Sequence, residues 1–231
     1  MANKKALSYT VVVLLLLALV GGGILLWFSG RFADTVEKGG DRATCKNSVV
    51  LRAKNPLEIG EISCKTNYVT IDTLEQKKIM QTISEEAYWC WWQFAEGKAD
   101  FLDPEWVRAD TWCFLCSTIE FSDKVKEKYP EGIRDFNIFL QETSLKPKYD
   151  GNYIDYLPVS SQAEQSISTI PTQTPFNIAF FGVKKENIPT LPSQHLFALG
   201  PFGRYYISGM LYSSTDIKNV CNTLVVGEPS S

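Results

Sequence analysis

Residues 74–97 read LEQKKIMQTISEEAYWCWWQFAEG, and this stretch decides the fold. At about 100° per residue, Ile79, Met80, Ile83, Ala87, Cys90, Trp91 and Phe94 share one face, which predicts a helix over Leu74–Glu96. Asp72 with Glu75, or Thr73 with Gln76, offers a capping box at its start, and Gly97 sits where a C-terminal cap belongs. Tyr88, Trp89 and Trp92 fall off the stripe, so the last two turns are apolar nearly all round. Such a surface is either buried on several sides or offered to a partner. A core helix under a sheet is the plain reading. The sharper one makes Tyr88, Trp89 and Trp92 a binding surface.

Downstream, Thr111–Phe121 alternates as a strand, with Trp112, Phe114 and Cys116 on one face and Cys113 and Leu115 on the other. Ile133, Phe136, Phe139 and Leu140 mark a second helix over Gly132–Glu142. Residues 144–175 are rich in Pro, Ser, Thr and Gln, and read as an exposed, mobile loop. Phe176–Val183 is a mainly apolar strand. Gly200-Pro201-Phe202-Gly203 has the chemistry of a type I turn joining His195–Leu199 to Arg204–Ser213, and Thr223–Val226 is a last strand. Upstream, Ser48–Ala53 and Tyr68–Ile71 read as short strands. Strand, strand, helix, strand, helix, strands gives no regular βαβ units, so the class expected is α+β, with a long core helix and an antiparallel sheet.

The first thirty residues carry a different signal. Lys4 and Lys5 precede an apolar run from Val11 to Phe28, broken only by Gly21-Gly22-Gly23. Extended back to Ala6, residues 6–28 would cross a bilayer core of about 30 Å at about 1.5 Å per residue. The more basic front flank predicts a cytoplasmic N-terminus and an exported remainder. A cleaved signal peptide is the rival, but Ile24–Phe28 carries the run past an h-region of about 7–15 residues. The expected organisation is an N-terminal transmembrane anchor (1–30), a stem (31–44), one extracytoplasmic α+β domain (45–226) and a tail (227–231). The location expected is the cell membrane, single-pass.

Six cysteines, Cys45, Cys64, Cys90, Cys113, Cys116 and Cys221, are an even number. In an exported domain they read as disulfides. Cys45 and Cys64 flank the first two strands, where a staple would close the unit. Cys90 lies in the centre of the helical stripe and should meet Cys113 or Cys116. Residues three apart on a strand point to opposite faces, so a bond between Cys113 and Cys116 would require a turn. Zinc held by Cys90, Cys113, Cys116 and Cys221, with His195 as a substitute, competes with those disulfides, and one CxxC is not two. No metal and no cofactor are expected. The acidic run Glu96, Asp100, Asp103, Glu105, Asp110 lacks calcium-loop spacing and reads as a solvated connection. His195 has no Ser or Asp beside it in a hydrolase motif.

Net charge is −3 with no basic stripe, which argues against a nucleic-acid partner and gives the whole chain no preference for acidic substrates. The absence of an Asn-x-Ser/Thr sequon gives no support to a glycosylated surface protein, and a prokaryotic envelope fits better.

Three resemblances bear on function. Lys5-Ala6-Leu7-Ser8 before a long apolar helix resembles the class III signals of archaeal type IV pilin-like proteins, which implies cleavage after Ala6 and a helix that anchors or polymerises. Trp112-Cys113-Phe114-Leu115-Cys116 resembles the Trp-Cys-x-x-Cys of thioredoxin-like oxidoreductases, which implies thiol-disulfide exchange by Cys113 and Cys116. That chemistry needs the first thiol at a helix N-terminus, whereas Ser117–Phe121 continues as strand. Cys90-Trp91-Trp92-Gln93-Phe94-Ala95-Glu96-Gly97-Lys98 and the stretch from Cys45 to Ala53 resemble uncharacterised archaeal single-pass membrane proteins, which implies location and no activity. The function expected is a membrane-anchored envelope protein that acts by binding or assembly rather than catalysis, with the bilayer contacted through residues 6–28 and a protein partner in the envelope. The pilin-like subunit and the membrane-tethered oxidoreductase are its rivals.

Overall fold

The computed structural model describes residues 40–54, 62–99, 101, 111–157, 168–184, 196–201, 206–213, 221, 223–227 and 229. The chain divides into two compact units, Met1–Gly40 and Asp41–Ser231, and every element below belongs to the second. It is α+β, with a six-stranded sheet packed against a long helix.

The expected architecture is corrected in two respects. Among the described residues no helix is long and apolar enough to cross a membrane. The long helix α2, Gln76–Gln93, has the length at 18 residues, but Lys77, Lys78, Glu85 and Glu86 interrupt it. The apolar run over residues 6–28 and the cleavage site proposed before it lie outside the described residues, whereas residues 41–44 of the expected stem are described and open a helix. The sheet, moreover, is mixed. Its centre is β2, Thr111–Phe121, which pairs antiparallel with β5, Phe176–Lys184. Beyond β5 come β7, Tyr206–Ser213, and β6, Leu196–Pro201, both antiparallel. The other edge of β2 is shared by two parallel strands laid end to end. The strand β8, Thr223–Val226, takes Trp112–Leu115, and β1, Asn67–Ile71, takes Ser117–Phe121.

Cys116 is the extra residue of a bulge in β2, since Leu115 opposes Ala179 and Ser117 opposes Ile178. A bulge sends two neighbouring side chains toward one face. Here Cys116 and Ser117 both reach α2, where Cys90 and Glu86 stand one turn apart. Cys116 bonds to Cys90, and the Ser117 hydroxyl donates to Glu86 Oε2 at 2.6 Å. The aromatic core lies between α2 and this face. Phe94 is fully buried, stacked on Phe180 at 4.3 Å and against Phe114 at 5.0 Å. Thr66, also fully buried, joins β1 to β8. Its hydroxyl donates to the Leu115 carbonyl at 2.8 Å and accepts the Gly227 N–H at 3.0 Å. Gly227 is required there, because a Cβ would stand 2.0 Å from the Cys64 carbonyl oxygen. Within the segment expected as a tail (227–231), Gly227 is thus fastened to Thr66, and Pro229 is bridged to it.

Residues 41–54 form a helix, α1, where a strand over Ser48–Ala53 was expected. The adjacent β-branched Val49 and Val50 suggest a strand, but Cys45, Val49 and Ala53 recur every fourth residue and face the core together. The start of α2 carries no capping box. Thr73 Oγ1 accepts the Glu75 N–H at 3.3 Å, while Asp72 pairs with Lys124 from the short helix α3, Asp123–Lys128. The expected second helix begins later, as α4, Phe136–Glu142, because Ile133–Arg134 is a strand, β3.

Within 144–175, read as an exposed loop, residues 144–157 are folded. Ser144 bridges Asn152, and a turn of helix, α5, spans Tyr153–Tyr156. Thr169–Ile170, β4, pairs with β3. Leu145, Tyr153, Leu157, Ile170 and Thr172 are buried. Polar composition predicts solvent here, but Leu145, Tyr153, Leu157 and Ile170 join the core with Phe136, Phe139 and Leu140.

Candidate functional site

The six cysteines form three disulfides: Cys45–Cys64, Cys90–Cys116 and Cys113–Cys221. Cys45 lies on α1 rather than before a strand, so the first of these ties a helix to the segment leading into β1. The strand parity of β2 separates the two sulfurs of the CxxC. Cys116 faces α2, while Cys113 faces the opposite side of the sheet, where Ala179 and Phe181 are also fully buried. Neither sulfur stands at a helix N-terminus, so the local geometry that activates a thioredoxin-like thiol is not assembled around them. Among the described residues no group of three His, Cys, Asp or Glu is placed to hold a metal ion. His195, Asp100, Asp103, Glu105 and Asp110 lie outside the described residues.

Tyr88, Trp89 and Trp92 are brought together, but beneath cations of their own chain. Tyr88 is buried, and Trp89 and Trp92 are half-buried. Trp89 packs edge-on to Tyr88 at 5.0 Å and to Trp92 at 5.4 Å. The Arg42 guanidinium sits 5.0 Å over Trp89, and Lys46 Nζ 4.0 Å over Trp92. Lys148 Nζ, from the 144–157 segment, lies 4.9 Å over Tyr88 and 5.1 Å over Trp89. Each such contact is worth about 0.5–1 kcal/mol when exposed and more when desolvated. Arg42 also makes a two-pronged bond to Glu86, at 2.8 and 2.9 Å. The rings therefore serve first to hold α1 and residues 144–157 on α2.

Beside them lies a concave site that no motif announced. The chain leaves α2 through three consecutive left-handed residues, Ala95, Glu96 and Gly97, with φ of 54°, 57° and 67°. Glycine adopts this conformation freely, but Ala and Glu do so at a cost. After the reversal, Ala95 and Ala99 line a cavity of about 470 Å³ together with Val50 and Ala53 of α1. Its apolar lining is these four side chains. Among the described residues its charged lining is Lys46, Lys54 and Lys98 with one carboxylate, Glu96. Burial pushes the Glu96 carboxyl up. Its bonds to Lys98 and to the Tyr156 hydroxyl (3.0 Å), with the charges of Lys98 and Lys46, outweigh that and hold it below the usual carboxylate range. Burial pulls the Lys46 ammonium below its ordinary value, with Glu96 opposing and Lys98 adding to the shift. Sequence reasoning singled out Glu96 and Gly97 separately. The three lysines lie 52 residues apart at the extremes, and only the packing of α1 on the end of α2 gathers them.

Compared with known proteins, the chain matches no family model, no curated protein and no solved structure.

Proposed function

We propose that this protein acts by binding or assembly in the cell envelope, outside the cytoplasm, with the groove between α1 and residues 95–99 as its contact site. The observation that carries the reading is the placement of Cys113 and Cys116 on opposite faces of β2, each bonded to a distant cysteine. Thiol exchange by a CxxC needs those two sulfurs to close on one another. Here they lock a helix and the C-terminal strand to the sheet, as cysteines of exported domains do. The groove supplies what a binding role needs: a concave surface of ligand size that joins apolar side chains to a few charged groups.

Alkylation under denaturing, non-reducing conditions tests this on protein recovered from envelope fractions of the organism that makes it. The expected result is no free thiol before reduction and six after it. Six free thiols beforehand would overturn the compartment. Turnover in an insulin-reduction assay that disappears in Cys113→Ser, with melting unchanged, would overturn the binding role.

A further inference from the structure

We propose that the groove between α1 and residues 95–99 binds a free, single-chain amphiphile with an anionic head group, of the class of medium-chain carboxylates. This rests on the binding role above. Charge is the first argument. The chain as a whole is weakly acidic, yet the described lining of this groove sets three lysines against one glutamate. That glutamate is already satisfied by Lys98 and the Tyr156 hydroxyl. Lys46 and Lys98 share that one carboxylate, so the described lining keeps a net positive charge. Lys46 is held in place over Trp92 and half-buried, so its ammonium is short of water. An anion beside a partly desolvated cation gains more than it would in bulk solvent.

Shape is the second argument. Val50, Ala53, Ala95 and Ala99 supply half of the described lining and present only methyl groups. A polar ligand would lose water against those side chains without compensation, whereas an alkyl chain loses nothing. The volume, about 470 Å³, falls in the range of small-molecule sites, about 300–1,000 Å³. The left-handed run Ala95–Glu96–Gly97 is the third. Backbone outliers of this kind collect at ligand clamps, and this one shapes a wall of the groove.

Calorimetric titration of the purified full chain with decanoate, kept below micelle formation, tests the proposal. Decyltrimethylammonium serves as the chain with the opposite charge, and anionic vesicles as a bilayer surface. Saturable one-to-one binding of decanoate is expected, with a Kd raised about tenfold or more in Lys46→Gln/Lys54→Gln. Ala99→Phe, which fills the slot, should abolish it. Thermal melting of both variants checks the fold, and the lysine pair decides the matter if Ala99→Phe unfolds. Absence of saturable decanoate binding would overturn the proposal. So would equal binding of decyltrimethylammonium, affinity unchanged in the lysine variant, or binding to vesicles alone. The cysteine measurements above are independent of all these outcomes, so failure here leaves the broader reading standing, and free thiols would remove that reading first.

Discussion

Removing the disulfides one pair at a time should destabilise the domain in an order set by loop length. The closed loops span 19, 26 and 108 residues for Cys45–Cys64, Cys90–Cys116 and Cys113–Cys221. In the chain-entropy treatment these correspond to about 3.2, 3.5 and 4.8 kcal/mol at 25 °C. Replacing both cysteines of a pair by Ala also deletes buried atoms, but that loss is matched across pairs. All six side chains belong to residues no more than 8% exposed. The differences therefore isolate the loop term. Cys113→Ala/Cys221→Ala should cost about 1.6 kcal/mol more than Cys45→Ala/Cys64→Ala. For a domain this size that is a further fall of about 3–6 °C in Tm. Thermal melting by circular dichroism under non-reducing conditions reads it directly. If loss of the longest loop proves the mildest of the three, the reasoning is refuted. The bond would then constrain little in the unfolded chain, or the strand it fastens would contribute nothing to the native state.

Three further outcomes follow from particular residues. Glu86→Ala leaves Arg42 and Ser117 facing a partly buried gap and should cost about 3 kcal/mol by urea unfolding, whereas Arg42→Met/Glu86→Leu should recover most of the loss. Burial, with Glu85 and Tyr88 nearby, pushes the Tyr153 hydroxyl up to about 12, and burial together with Glu96 raises Tyr156 as well. Both stay protonated in the folded state after an unfolded tyrosine ionises at about pH 10. Stability should therefore be full below pH 10 and fall as pH rises through 12, and Tyr153→Phe should flatten that slope in pH-dependent unfolding. Ala95→Gly relieves a left-handed alanine and should raise stability by about 1 kcal/mol in the same urea assay, a loss of stability counting against the φ of 54°.

Sequence made legible what depends on local period. The stripe Ile79–Ile83–Ala87–Cys90–Phe94 is the buried face of α2, and Thr111–Phe121 is a strand over its full length. The opposed directions of Cys113 and Cys116 follow from strand parity, and so did the expectation that Cys90 meets one of them. What was illegible is set by distant packing. Val49-Val50 looks like a strand until Cys45 and Ala53 are seen to face the same core. Tyr88, Trp89 and Trp92 fall off the helical stripe, and nothing local shows that Arg42, Lys46 and Lys148 cover them. Gly97 was read as an ordinary cap, though a glycine after an aromatic helix end was the one signal of the left-handed run. The groove needed both α1, misread as a strand, and that run. The sharing of one edge of β2 by β1 and β8 joins residues about 160 positions apart, which no window of sequence contains.

That shared edge has a consequence for how the protein is made. The central strand receives half of its parallel partner from residues that precede it and half from residues synthesised more than a hundred positions later. While the chain emerges, β1 can settle beside Ser117–Phe121, but Trp112–Leu115 must wait with one side uncovered until Thr223–Val226 arrives. During that wait Cys113 has no correct mate, and Cys116, three residues on, is the nearest wrong one. Cys90 and Cys116 both precede Cys221 in the chain, so a bond formed between them first would remove that competitor. The order of synthesis thus favours the native pairing, and a chain truncated before Cys221 would leave its most central strand half-dressed, with a reactive thiol at the opening.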